Sequence, residues 1–227
     1  MPSFLIYLLQ QRLHVLVLSF FGIIIATVLL IITIDPLVAL YFHRYPVAEG
    51  LLNAIELSSQ LVNPVLISAI ASLYAITYLM YRKYNSTTAN LTRCYYFSLS
   101  LILSFIMVAI LKVLIGRHRP DLLMETETYG FTLFSLSSEN HSFPSGHAAI
   151  TSTLLFAWKF FFNNRVILLL IALLLLVILP GRILTGAHYP SDVIFGVFIA
   201  YFSVFMINTF YRFNIVNHNQ EKSSNAD

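Results

Sequence analysis

LHVLVLSFFGIIIATVLLIITI, residues 13–34, contains no Lys, Arg, Asp or Glu. About twenty mainly apolar residues carry a helix across a bilayer. The run is too long for the apolar core of a secretory leader, and no clear small-residue cleavage site follows it. It reads as an uncleaved span. Similar runs recur down the chain, and the sequence predicts six spans, near 13–34, 57–81, 94–115, 145–162, 166–183 and 190–211. The runs are continuous and lack the alternation of a strand, and a backbone in lipid must satisfy its own hydrogen bonds. The expected fold is therefore all-α: a six-helix integral membrane bundle, one domain over 1–227. Residues 1–11 are expected along the membrane interface, and a polar C-terminal tail, 214–227, is expected to fray.

Composition agrees. The 227 residues are 58% hydrophobic and 10% charged, with a mean hydropathy of +0.80. A soluble domain carries about 25% charged residues. The net charge of +3 is small and spread along the chain, which argues against a nucleic-acid partner. Cys94, alone, excludes an intramolecular disulfide and a cysteine metal cluster. It reads as a small apolar filler.

Loop charge sets an orientation. Arg12, Arg82, Lys83, Arg93, Lys159, Arg165, Arg212 and Lys222 fall on the side that holds both termini, eight of the thirteen Lys and Arg. The positive-inside rule places that side in the cytoplasm. Loops near 35–56, 112–144 and 181–192 are then outside, and most of the outer cations belong to one cluster.

That cluster lies in KVLIGRHRP (112–120), PSGH (144–147) and GRILTGAHYPSD (181–192). Each adjoins a helix end, and ionisable groups at membrane depth usually mark function. Lys112, Arg119 and Arg182 on one face suit an anion such as phosphate, although each alone also reads as a snorkelling side chain. Arg117 and His118 are candidates to join them, and are equally able to face head groups or water. Ser145 and Gly146 open a helix whose unpaired N–H groups favour an anion. Read alone they are an ordinary cap, which leaves His147 unexplained. His188 and Asp192 are four apart, so the carboxylate can accept from Nδ1 and leave Nε2 unprotonated. A surface histidine beside a capping aspartate is the other reading. Metal ligation by His147, His188 and Asp192 is disfavoured by the neighbouring cations.

At these motifs the sequence resembles the type 2 phosphatidic acid phosphatase superfamily, in its integral-membrane lipid phosphatase branch. That pattern is Lys-x6-Arg-Pro, then Pro-Ser-Gly-His, then Ser-Arg-x5-His-x3-Asp. Lys112 to Arg119-Pro120, Pro144 to His147, and Arg182 to His188 to Asp192 keep the order and spacing. Gly181 departs from it, standing where the pattern has Ser.

The resemblance implies a metal-independent phosphatase with no cofactor, acting on a lipid phosphate among membrane lipids. His188 would attack phosphorus, Asp192 would orient it, and His147 would protonate the leaving oxygen. Lys112, Arg119, Ser145, Gly146 and Arg182 would hold the phosphoryl oxygens. It also implies a bacterial inner membrane, and the loop charge puts the site on its outer face. The head group stays open among polyprenyl diphosphate, phosphatidylglycerol phosphate, phosphatidic acid and lipid A phosphate. Transfer to another lipid or to an alcohol would use the same intermediate. A transporter is the remaining alternative, disfavoured because the ionisable residues gather at one membrane face and no run has paired midplane breaks.

Overall fold

The structure, a computed structural model, describes the backbone of residues 2–224 and most side chains between His14 and Ile215. Nine α-helices follow one another among these residues: α1 (Pro2–Thr33), α2 (Asp35–Arg44), α3 (Glu49–Leu61), α4 (Pro64–Tyr84), α5 (Ala89–Ile115), α6 (Pro120–Thr126), α7 (Gly146–Phe161), α8 (Arg165–Leu184) and α9 (Pro190–Ser224). A single 3-10 turn occupies Ser138–Asn140. No strand is present among the described residues, and the all-α reading holds.

Local chemistry sets the boundaries. Asn63 caps α4, its Oδ1 accepting from Val65 and Leu66 N–H at 3.0 and 3.1 Å, and Pro64 supplies the first helical residue. Asn164 caps α8 in the same way, at 3.0 and 3.2 Å. A side-chain oxygen satisfies N–H groups that a helix start leaves unpaired.

Five segments are long and apolar enough to cross a membrane: Leu16–Thr33, Glu49–Tyr84, Ala89–Ile115, Arg165–Leu184 and Pro190–Ile215. Their outer faces carry large apolar side chains, such as Leu18, Ile32, Leu73, Met80 and Leu176. Such exposure is tolerable against lipid and costly against water. The chain is an integral membrane protein.

The expected sixth span is different in kind. α7 has 16 residues and is enclosed by α5, α8 and α9. Ala148, Ala149, Ile150, Thr151, Ser152, Thr153 and Ala157 are fully buried. Small residues let neighbouring backbones approach closely in lipid. Val108 of α5, Ala149 of α7 and Ile199 of α9 form one core cluster, and Tyr96, Ala157, Phe161 and Val204 another.

Three boundaries differ from the expectation. The 57–81 span begins at Glu49 and breaks at Val62–Asn63, because Asn63 and Pro64 restart the helix. The C-terminal tail does not fray at Phe213: α9 runs on to Ser224, in a stretch with no Gly or Pro to break it. Residues 2–11 continue the helix of the first span instead of forming a separate segment. Their side chains lie outside the described residues.

Candidate active site

Lys112 lies in the last turn of α5, Arg119 caps α6, Gly146 and His147 open α7, Arg182 lies in the last turn of α8, and His188 sits in the turn before α9. All six line one cavity of about 480 Å³. Its other walls include Val65, Phe105, Val108, Ala109, Val113 and Ile150. The cavity is thus cationic at one end and apolar along the rest.

Ser145 and Asp192 stand behind this wall. Ser145 is fully buried, and its Oγ caps α7, accepting from Ala148 N–H at 3.5 Å. Its own N–H donates to the Asp192 carbonyl at 3.0 Å, tying α7 to α9. Gly196 allows that approach, because a Cβ there would lie 2.7 Å from the Ser145 carbonyl oxygen.

His188 is 4% exposed. Its Nδ1 lies 2.7 Å from the Ser142 carbonyl and 3.7 Å from Asp192 Oδ2. A carbonyl only accepts, so Nδ1 carries the proton and Nε2 keeps its lone pair. The sequence reading gave the Nδ1 bond to Asp192, and the geometry gives it to Ser142. Asp192 acts one step back: Ser142 Oγ donates to its Oδ2 at 2.6 Å, and Tyr189 N–H donates to the same oxygen at 2.8 Å. Burial holds the His188 imidazole well below the ordinary histidine range. Asp192 opposes that shift and Lys112 reinforces it, and the ring stays neutral.

The sequence left Arg117 undecided. It is 1% exposed and faces neither head groups nor cavity. Its guanidinium pairs with Asp35 at 2.8 Å and with Asp192, and donates to Ser191 Oγ at 2.7 Å and Tyr129 Oη at 3.0 Å. It also lies 4.1 Å from the centre of the Tyr189 ring. Burial works against its charge, but Asp192 and Asp35 outweigh that and keep it firmly cationic. Asp35 is fully buried and accepts from Ser191 N–H at 3.0 Å. Tyr129 Oη donates to the Ile31 carbonyl at 2.6 Å, which joins α1 to the network.

Sequence reasoning missed Asp35, Ser142 and Glu56. Asp35 had a usable signal, since it is the first acidic residue in the chain and closes the first apolar run. Ser142 had none, because its role depends on a loop folding back. Glu56 of α3 lies 3.4 Å from Arg182 Nη1, and Ser59 Oγ lies at the same distance. Lys112 donates to the His141 carbonyl. No cluster of three or more His, Cys, Asp or Glu able to hold a metal occurs among the described residues.

The helices and the cavity define an all-α membrane protein with a cation-lined site and a histidine poised on its wall. A family model described as the PAP2 superfamily matches residues 93–215, and the chain belongs to that superfamily. Lipid A 1-phosphatase of Rhizobium johnstonii is 35% identical over 118 residues, 52% of this chain and 48% of that protein. The Rhizobium etli lipid A 1-phosphatase is 33% identical over 102 residues, 45% and 43% of the two chains. The chain spans about half the length of the curated relatives it matches. Among solved structures, a transmembrane PAP2-type phosphatidylglycerolphosphate phosphatase from Bacillus subtilis matches with a TM-score of 0.55. Its identity is 16%, and the match covers 87% of this chain and 96% of that one. Aquifex aeolicus LpxE matches with a TM-score of 0.43 at 21% identity, covering 69% and 93%.

Proposed function

We propose that the chain is a membrane lipid phosphatase that removes a terminal phosphate through a phosphohistidine on His188. The observation that carries this reading is the two-ended cavity. Lys112, Arg119 and Arg182 meet His147 and His188 at one end, and an apolar wall continues from them. A lipid phosphate has the matching form, a compact anion joined to an apolar anchor.

The first step forms a bond from His188 Nε2 to phosphorus and breaks the bond from phosphorus to the lipid oxygen, which takes a proton from His147. Water then attacks phosphorus, gives a proton to His147, and releases orthophosphate with the Nε2 electron pair restored. The three cations stabilise charge on the equatorial oxygens, and fixed charges of this kind do most of the work in phosphoryl transfer. Asp192 stabilises the cation that forms on His188, acting through space and through Ser142. Loop charge supports cytoplasmic termini and an outward site, in a bacterial inner membrane. The relatives' names favour a lipid A type phosphate as the first substrate to try.

The test is phosphate release by detergent-purified protein from lipid A phosphate, phosphatidic acid, phosphatidylglycerol phosphate and polyprenyl diphosphate. A short water-soluble monophosphate in the same micelles is the comparison, and each reaction is run with and without EDTA. At least one lipid should exceed the soluble ester in kcat/KM, and EDTA should leave its turnover unchanged. A soluble ester that matched every lipid would remove the lipid reading, and a divalent-ion requirement would remove the proposed chemistry.

A further inference from the structure

We propose that Glu56 selects among lipid phosphates, favouring a phosphomonoester over a diphosphate. The proposal rests on the lipid-phosphatase reading and adds a substrate preference to it. Arg182 is 7% exposed, lines the cavity, and has a buried Nε without a hydrogen-bond partner. Its Nη1 is the atom that faces Glu56 Oε2 at 3.4 Å. One of the three cavity cations therefore already has a carboxylate neighbour.

That neighbour is held there by packing. Gly181 precedes Arg182 on α8, and a Cβ at this position would lie 2.5 Å from Ile55 Cγ2 of α3. Glycine lets α3 close against α8. The closure brings Ser59, 1% exposed, and Glu56 onto the guanidinium. The serine that the family pattern places at 181 would require Ile55 to shift.

The ion pair is long and weak. The Glu56 side chain is 54% exposed, so a phosphate can take its place at Arg182 without a large desolvation cost. The carboxylate stays near the bound anion and repels it. The repulsion grows with the charge of the ligand. A phosphomonoester carries about two negative charges at neutral pH, and the matching diphosphate carries one more. Glu56 therefore penalises the diphosphate more.

The experiment compares a polyprenyl monophosphate with the polyprenyl diphosphate of the same chain length, so that only the phosphate count differs. Wild type, Glu56→Gln and Glu56→Asp are assayed for kcat/KM on both. Glu56→Gln should raise the ratio of diphosphate to monophosphate turnover about fivefold, an effect scaled to a half-exposed charge. Glu56→Asp, which keeps the charge, should stay near the wild-type ratio. Gly181→Ala, which pushes Ile55 and α3 outward, should shift the ratio in the same direction as Glu56→Gln. A Glu56→Gln protein whose two rates change by the same factor, or whose ratio falls, overturns the proposal and leaves the phosphatase reading intact. Wild type inert on both lipids and on the panel above overturns that reading and this proposal with it.

Discussion

The two sides of His188 treat charge in opposite ways. Behind it, Arg117 is enclosed with Asp35 and Asp192, and the protein supplies every partner. In front of it, Lys112, Arg119 and Arg182 converge on a cavity. Among the described residues, half-exposed Glu56 is the one carboxylate paired with any of the three. The rear network is complete without a ligand, and the front cluster is complete only with an anion. A buried charge is costly unless matched, so the front side is the one that the proposed lipid phosphate would neutralise.

The rear network is the more sensitive of the two to loss of one partner. Arg117→Met leaves Asp35 and Asp192 buried without their cation and should lower stability by about 3–5 kcal/mol. Denaturant or thermal unfolding in detergent measures this. Adding Asp35→Leu to that variant should recover part of the loss, because one orphaned carboxylate goes with it. Lys112→Met is the counterpart in front. It should leave stability unchanged or raise it, while kcat/KM falls by roughly 10²–10³, the usual cost of removing one stabilising donor. A Lys112→Met protein as unstable as Arg117→Met would show that the front cluster is also structural.

The smallest expected effect on stability is the pH dependence tied to the His188 ring. Its unfolded pKa is near 6.5, and burial holds the folded value down to about 3. The unfolded chain therefore takes up a proton here at a pH where the folded chain does not. The stability tied to the neutral ring is present above about 6.5 and is lost as pH falls towards 3. His188→Asn should flatten that part of the curve of melting temperature against pH. An unchanged slope would mean that the ring is not held neutral by the fold.

Much of this was legible in the sequence. Five of the six expected spans, the three motifs and the convergence of six residues on one cavity follow from apolar runs and from spacing. α7 was harder to read, since its 16 residues look like a short span and its enclosure depends on neighbours far away in the chain. Ser145 shows a limit of motif reading. The resemblance put it in the phosphate group, whereas in the structure its hydroxyl caps α7, as the residues read alone would have it. The second layer was the least legible. Asp35 lies 82 residues from Arg117, and Ser142 lies 50 from Asp192. No local pattern signals contacts that only tertiary folding creates.

The central claim is that His188 carries the phosphoryl group between lipid and water. The direct measurement is a rapid alkaline, acid-free quench of the detergent-purified protein with lipid labelled in its terminal phosphate, followed by mapping of the labelled peptide. The account predicts a label on His188 that forms before orthophosphate appears, survives alkali, and is lost in mild acid. It also predicts no label and at least a thousandfold loss of turnover in His188→Asn. A label on another residue, or full turnover by His188→Asn, would contradict it.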